Sequence, residues 1–211
     1  MRIVVLGPGR IGSALAGLLA DAGHEVMLSA YRNPDVAFML ADAIGARMGS
    51  IEEAADFGEV FFLTVPHGIV GNVLQRLRHA HGVLVDCTNQ WGGTIPKGVR
   101  STSEQVAQLA PKLAVVKAFN TIRADELRGR AHSDTPVTVV FSTDSQGAAS
   151  VVDKLVRDCG FAPLNLGPLP NGLLQEPGSV YFLKVMDLDE ALRIAKELES
   201  AEGLPPSVPP Q

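Results

Sequence analysis

The chain has 211 residues, with 18 Lys and Arg against 23 Asp and Glu, which gives a formal net charge of −5. This length provides one globular domain with its own core, or one domain with an appendage. The acidic balance and the lack of a basic patch exclude nucleic acid as the expected partner. Two cysteines are too few for a disulfide framework, and no window reaches the ~20 apolar residues of a membrane span. We therefore expect a cytoplasmic protein that does not bind a membrane.

Short apolar runs alternate with helical patterns along the chain. Runs typical of buried parallel strands lie at 2–6, 25–29, 60–65, 82–86, 113–118, 136–141 and 162–166. Apolar residues at helical spacing predict helices over 10–22, 34–44, 68–80, 144–160 and 187–200. Capping boxes, in which Ser is followed three residues later by Glu, predict two further helix starts at Ser50 and Ser101. This order of elements predicts an α/β fold with a mostly parallel sheet.

A glycine-rich loop follows the first predicted strand. It has the pattern G-x-G-x-x-G and opens a predicted helix, which is the context that a dinucleotide-binding loop requires. Gly7 permits the tight turn, Gly9 lets the backbone approach a pyrophosphate, and Gly12 lets helix and strand pack closely. The helix N-terminus adds N–H donors and positive potential. The cofactor-binding residues expected in this loop are Gly7, Pro8, Gly9, Arg10, Ile11 and Gly12.

The end of the second strand indicates which dinucleotide is bound. Sites for NAD usually place Asp or Glu there to bind the ribose 2′-hydroxyl. Here no carboxylate follows until Asp35, which already belongs to the next helix. Arg32 can instead pair with a 2′-phosphate, with Ser29 or Tyr31 as hydroxyl donors and Arg10 as a second cation. The sequence therefore predicts NADP(H) rather than NAD.

Polar residues also follow the third clear strand and the one after it. Val65 and Pro66 lead into His67, which either donates to the cofactor or to a substrate oxygen, or bonds to backbone or water at a helix start. Asn89 is a candidate contact for cofactor or substrate. Cys87 has no base placed beside it by the sequence, so we do not expect it to be a nucleophile.

Lys117 closes an otherwise apolar strand. A lysine in a buried sheet requires a partner, so it binds a carboxylate, a phosphate or a ribose hydroxyl, or it reaches water at the sheet edge. His67 and Lys117 are the candidate catalytic residues, and each would serve as the general acid if the substrate were a carbonyl or an imine. No Cys and His spacing fits a metal site, and we expect none.

Three longer stretches carry a resemblance to a known family. They are GPGRIGSALAGLLADAGHEV at 7–26, VVKAFNT at 115–121 and FAPLNLGPLPNGLLQEP at 161–177. With them the chain resembles the NADPH-dependent reductases of the deazaflavin coenzyme F420. It is also similar to the cytoplasmic domain of metalloreductases that carry a six-helix haem membrane domain. The resemblance spans residues 1–190.

The resemblance implies a Rossmann-type, doubly wound α/β fold with a mostly parallel sheet and a small C-terminal α/β extension. We expect an NADP-binding domain over 1–122, an extension over 123–200 that completes the substrate side, and a flexible tail over 201–211. The family also implies a homodimer.

The activity implied by the family is hydride transfer between NADP(H) and a second redox ring, such as F420 or a flavin. Gly7, Gly9, Gly12 and Arg32 would hold NADP. The residues implied around the nicotinamide and its ribose are Pro66, His67, Lys117 and Asn120.

The chain departs from the family at a few positions, which keeps other functions open. Tyr31 stands where the family often has Ser, Leu173 stands where it usually has Arg, and Gln175 replaces a common apolar residue. The change at Leu173 leaves the acceptor undetermined. Two alternatives therefore remain: an NADP(H)-binding sensor or interaction module without turnover, and a dehydrogenase of small carbonyls or imines.

Overall fold

A computed structural model of the chain describes residues 1–30, 34–92 and 97–202. Within these residues the strands are β1 Arg2–Leu6, β2 Glu25–Ser29, β3 Arg47–Met48, β4 Val60–Leu63, β5 Gly82–Asp86, β6 Leu113–Ala118, β7 Thr138–Ser142 and β8 Ala162–Asn165. They form one sheet in the order β3-β2-β1-β4-β5-β6-β7-β8.

Helices connect the strands. Their bounds are α1 Arg10–Asp21, α2 Pro34–Ile44, α3 Ile51–Phe57, α4 Val70–Arg76, α5 Thr102–Leu109, α6 Ala124–Arg130, α7 Gln146–Asp158 and α8 Leu188–Glu202. Two 3-10 helices, His67–Ile69 and Leu169–Gln175, lie before α4 and after β8. None of the helices in the described ranges is long and apolar enough to cross a membrane.

Strand β1 shows how the sheet is covered on both faces. Ile3 and Val5 belong to an apolar cluster that includes side chains of α1 and α7, whereas Val4 and Leu6 belong to a second cluster that includes side chains of α4 and α5. All four side chains are buried. A strand buried on both faces is typical of a parallel sheet between two helix layers. The predicted Rossmann-type fold is thereby confirmed.

Strand β7 joins the sheet differently from the others. It is antiparallel to β6, and its register pairs only Lys117 with Ser142 and Ala118 with Phe141. Both pairs lie at the carboxyl ends of the two strands, so the rest of β7, together with the parallel strand β8, extends beyond the carboxyl edge formed by β1, β4, β5 and β6. Ligands of open α/β sheets bind at that edge.

The sequence patterns missed short elements and overran some ends. Strand β3 has two residues, too few for a periodic signal, and α6 buries only Leu127. The strand predicted at 60–65 ends at Leu63, and the helix predicted at 68–80 is a 3-10 turn followed by α4. At the start of α3, Ser50 and Glu53 form the predicted capping box.

Candidate active site

The glycine loop between β1 and α1 is held in a tight turn. Gly7 has a φ of +92°, which favours glycine, and a Cβ there would lie 2.6 Å from Cγ1 of Val65. A Cβ on Gly12 would meet the Gly7 carbonyl oxygen and lie 2.6 Å from Oγ1 of Thr64. By contrast, a Cβ on Gly9 would have no atom within 4 Å. The loop is therefore tightly packed beneath Gly7 and Gly12 but open above Gly9, as a pyrophosphate cradle requires.

Thr64, just after β4, stabilises this turn. Its hydroxyl donates to the carbonyl oxygen of Leu6 at 3.0 Å and to that of Gly7 at 2.8 Å. On the other side, the Gly7 N–H donates to the Ser29 carbonyl at 2.9 Å. The loop is thus bonded to both strands that flank β1, which fixes where the N–H groups at the start of α1 point.

A cavity of about 540 Å³ opens over the loop. It lies between the start of α1, the start of α2 and the end of β4, and it is large enough for part of a dinucleotide. The residues that line it are Gly7, Pro8, Gly9, Arg10, Ser13, Val36, Ala37, Thr64, Val65, Pro66 and Ile69. The structure therefore brings Gly7, Pro8, Gly9 and Arg10 together with Val65 and Pro66, whereas the predicted residues Ile11, Gly12 and His67 do not line the cavity.

The residues predicted to select NADP are Arg10, Ser29, Tyr31 and Arg32, and the structure describes the first two of them. Ser29 is buried at the end of β2, and its hydroxyl has no partner among the described residues. Arg10 is exposed at the start of α1, whereas Ile11 is half-buried. Tyr31 and Arg32 lie outside the described residues.

His67 begins the 3-10 helix after β4 and is half-buried. Pro66 before it is exposed. The Nδ1 atom of His67 is enclosed by protein and has no hydrogen-bond partner within the described ranges. Buried polar atoms are rarely left unpaired in this way. One ring nitrogen of His67 is therefore unpaired among the described residues, and its predicted role at the site stays a prediction.

A buried ion pair joins the ends of β5 and β6. Asp86 and Lys117 face each other in the register of the two strands, both side chains are 0% exposed, and Nζ lies 3.2 Å from Oδ2. The Lys117 ammonium also donates to the Thr88 carbonyl at 2.6 Å. Lys117 thus has a carboxylate partner inside the protein, one of the options that the sequence left open.

The carboxylate of Asp86 has further donors. Oδ1 accepts the Thr88 backbone N–H at 2.9 Å and its hydroxyl at 2.7 Å, and Oδ2 accepts the hydroxyl of Ser103 on α5. Burial alone would raise the pKa of Asp86, but the Lys117 ammonium and these donors hold that pKa below its ordinary value. The pair is therefore charged and well satisfied, the condition under which a buried ion pair is tolerated.

Two asparagines link the loops that follow β5 and β6. Nδ2 of Asn89 donates to the Asn120 carbonyl at 3.1 Å, and Nδ2 of Asn120 donates to Oδ1 of Asn89 at 3.0 Å and to the Gln175 carbonyl at 2.6 Å. Oδ1 of Asn120 is buried without a partner among the described residues. Before it, Phe119 is fully buried at a φ of +58°, a conformation that costs a non-glycine residue about 1–3 kcal/mol.

The second 3-10 helix and Glu176 after it pack over this network. Oε1 of Glu176 accepts the backbone N–H and the hydroxyl of Thr102 at the start of α5. A Cβ on Gly172 would lie 3.0 Å from Oγ of Ser101 and 3.5 Å from Cγ of Lys117, so the second 3-10 helix packs directly on the lysine. Leu173 is half-buried and packs against an apolar cluster.

The two cysteines take no part in this chemistry. Burial and the neighbouring Asp86 carboxylate raise the pKa of Cys87 well above its ordinary value, and burial raises the pKa of Cys159 to about 12. Both thiols are therefore protonated at neutral pH, and a nucleophilic role is unsupported, as the sequence indicated.

Sequence reasoning missed Asp86, Thr64, Thr88 and Ser103 in this region, although a signal existed for Asp86. Asp86 and Lys117 end adjacent parallel strands, so opposite charges at equivalent strand positions could have predicted their pairing. Thr64, Thr88 and Ser103 act through hydroxyls, and nothing in a single sequence distinguishes them from other buried hydroxyl residues.

The family comparison matches the first part of the chain. Residues 2–90, from β1 through β5 and the loop after it, match the family described as NADP oxidoreductase, coenzyme F420-dependent. This stretch contains the glycine loop, the lining of the cavity and Asn89. The predicted resemblance is thereby confirmed.

A curated relative is similar over most of the chain. Metalloreductase STEAP3 of Rattus norvegicus is 30% identical over 169 residues, which is 80% of this chain and 34% of the rat protein. The chain therefore spans about a third of the length of that relative.

Two solved structures have the same fold along nearly the whole chain. A hypothetical protein of Sinorhizobium meliloti superposes with a TM-score of 0.80 at 26% identity, covering 89% of this chain and 95% of that one. A protein assigned as an F420-dependent NADP reductase of Arthrobacter sp. FB24 superposes with a TM-score of 0.66 at 24% identity, covering 96% and 95%. Over residues 2–90 the chain is thus similar to the family of NADP oxidoreductases described as coenzyme F420-dependent.

Proposed function

We propose that the chain is an NADP(H)-dependent oxidoreductase that transfers hydride between the nicotinamide and a flavin-like or deazaflavin (F420) acceptor. The observation that carries the proposal is the glycine loop, which is tightly packed at Gly7 and Gly12 and open above Gly9. A cavity of about 540 Å³ lies over it. The family of residues 2–90 supports the same cofactor.

The residues present fit a dinucleotide. Backbone N–H groups at the start of α1, around Gly9 and Arg10, would bind the pyrophosphate with the help of the helix dipole. Ser29, Tyr31 and Arg32 would bind the 2′-phosphate at the end of β2. When bound, NADPH supplies the hydride and the two electrons of the reaction.

The nicotinamide end would be bordered by residues that follow β4, β5 and β6. Val65, Pro66 and His67 would lie along the ribose, and Asn89 and Asn120 would orient the ring. Oδ1 of Asn120 supports this role, because it has no partner among the described residues and a buried unpaired acceptor is suited to an N–H donor of a ligand. Transfer to a second ring needs no protein nucleophile, so these residues would act by positioning and by excluding water.

Turnover is the test of this function. Purified protein is mixed with NADPH and, separately, F420, FMN, FAD and ferric chelates, and NADPH absorbance is followed. We expect oxidation of NADPH with at least one ring acceptor and slower oxidation of NADH. Tight binding of NADPH without oxidation by any acceptor would overturn the reductase assignment and favour a sensor or interaction module.

A second candidate is a dehydrogenase of small carbonyls or imines, and His67 is the observation that favours it. Such a substrate needs a general acid, and the Nδ1 of His67 has no partner among the described residues. Loss of turnover on carbonyls or imines in His67→Ala, with NADPH affinity retained, would support this candidate. Unchanged ring-to-ring transfer in the same variant would support the first.

The proposal includes a homodimer in the cytoplasm, as the family resemblance implies. Two buried, unpaired cysteines are compatible with a reducing compartment. Light scattering of the purified protein would give the mass of the assembly, and a monomer at all concentrations would contradict the dimer.

A further inference from the structure

The ion pair of Asp86 and Lys117 has a feature that stability does not explain. Both groups are 0% exposed, and removing two charges from water costs more than their attraction returns unless other bonds compensate. Apolar residues of similar volume would serve the core at least as well. What they could not do is bond the backbone of the next loop.

The bonds of the pair converge on one residue of that loop. Thr88 is held at its N–H and hydroxyl by Asp86 and at its carbonyl by Lys117. Three bonds from two strand ends leave the residue little freedom. Ser103 differs from these groups: its hydroxyl donates to Asp86, and it is not one of the groups that bond Thr88.

The residue after Thr88 is Asn89, which is proposed to orient the nicotinamide together with Asn120. Asn89 is paired reciprocally with Asn120, which follows the left-handed Phe119 at the end of β6. Lys117 lies two residues before that strained position on the same strand. The ion pair is therefore hydrogen-bonded to the loop after β5 through Thr88. Its lysine also belongs to β6, the strand that leads into the loop of Asn120.

We infer that Asp86 and Lys117 are positioning residues: through Thr88 they set the register of Asn89 against Asn120, and so the orientation of the nicotinamide for hydride transfer. This rests on the proposed function. It also assigns Lys117 a role other than general acid, because its ammonium is bonded to Asp86 and the Thr88 carbonyl, and its side chain is fully buried with Cγ packed under Gly172.

The test uses a neutral double variant, because Lys117→Met alone would leave a buried unpaired carboxylate and could prevent folding. Asp86→Asn with Lys117→Met removes both charges and the donor to the Thr88 carbonyl. Ser103→Ala is the matched control, since it removes a bond to Asp86 but none to the loop.

For a positioning role we expect kcat of the double variant to fall about 100-fold, the cost of displacing a reacting group by about 1 Å. The Kd for NADPH should stay close to that of the wild type, because the glycine loop is intact. The pH profile of kcat should keep its shape at lower amplitude. Ser103→Ala should lower the Tm while keeping kcat.

Three results would overturn the inference: wild-type kcat in the double variant, an equal loss of kcat in Ser103→Ala, or loss of one limb of the pH profile, which would identify Lys117 as a proton donor. Amide hydrogen exchange of the free protein gives an arm that needs no turnover. The amides of residues 88–90 should lose protection in the double variant only, and wild-type protection there would also overturn the inference. A wild type that oxidises no NADPH would refute the proposed function and leave this arm readable.

Discussion

The two ends of the proposed cofactor site are built in opposite ways. At the glycine loop the missing side chains matter: a Cβ has no room at Gly7 or Gly12, and open space lies above Gly9. At the ends of β5 and β6, buried side chains fill the space, and Asp86 and Lys117 are bonded to each other and to Thr88 in the next loop. A phosphate needs access to backbone N–H groups, whereas a ring that must react in one orientation needs a rigid edge.

The largest effect should come from closing the glycine loop. Gly12→Val places carbon atoms against the Gly7 carbonyl and the Thr64 hydroxyl, so the loop must move. We expect a loss of about 1–3 kcal/mol of stability from overpacking, and no measurable NADPH binding. Thermal unfolding and a fluorescence titration with NADPH measure the two effects.

The matched control is Gly9→Ala. Gly9 has a φ of −77°, and its Cβ would have no neighbour within 4 Å, so the variant should unfold at the wild-type temperature. Its methyl group would instead point into the space proposed for the pyrophosphate, and NADPH should bind more weakly. Equal Tm losses in both variants would show that the space above Gly9 is not open, and wild-type NADPH affinity in Gly9→Ala would show that it is not the pyrophosphate site.

A smaller effect is expected at the 2′-phosphate. Arg32→Ala should weaken NADPH by about 1.5–3 kcal/mol if a charge-assisted bond is lost, with little effect on NADH. Calorimetry with both cofactors measures the difference. An equal loss for the two would mean that the 2′-phosphate is bound elsewhere.

The free energy of unfolding should depend on pH through Asp86, which lies at the β5 end of the site. The pKa of Asp86 is lowered in the folded protein, so its contribution is complete above its ordinary pKa of about 3.9 and is lost as the pH falls through the folded pKa. Urea unfolding at neutral pH and at about pH 3 should therefore show a larger loss in the wild type than in Asp86→Asn with Lys117→Met. The same loss in both proteins would contradict the lowered pKa.

The smallest effect is expected at Cys87, which lies between Asp86 and Thr88. Because burial raises the pKa of its thiol, iodoacetamide should leave Cys87 unmodified in the folded protein at neutral pH. Mass spectrometry before and after addition of urea measures this. Rapid labelling of the native protein would show that the edge around Asp86 opens to solvent.

The glycine loop could be predicted from the sequence, whereas the pairing at the ends of β5 and β6 could be predicted only in part. Gly7, Gly9 and Gly12 form a local pattern with a fixed mechanical reason for each glycine, so the loop and the strand and helix around it were predictable. Lys117 was recognisable as out of place in an apolar strand, but its partner lies 31 residues away, and only the register of β5 and β6 brings them together.

Two further features had no sequence signal at all. The short helix α6 buries only Leu127, so no amphipathic spacing marked it. The antiparallel direction of β7 depends on how the chain returns to the sheet after α6, which a strand pattern does not encode. Both belong to the connection between the two expected parts of the chain.

That connection has a mechanical consequence. Strand β7 meets β6 at two register positions only, and both lie at the carboxyl end of β6. A junction so short leaves β7 and β8 to be held by side-chain bonds as well: the Thr143 hydroxyl donates to the Val115 carbonyl at 2.7 Å, and Gln175 and Glu176 accept bonds from Asn120 and Thr102. A movement of the second half would therefore be transmitted directly to Asn120 and to the start of α5.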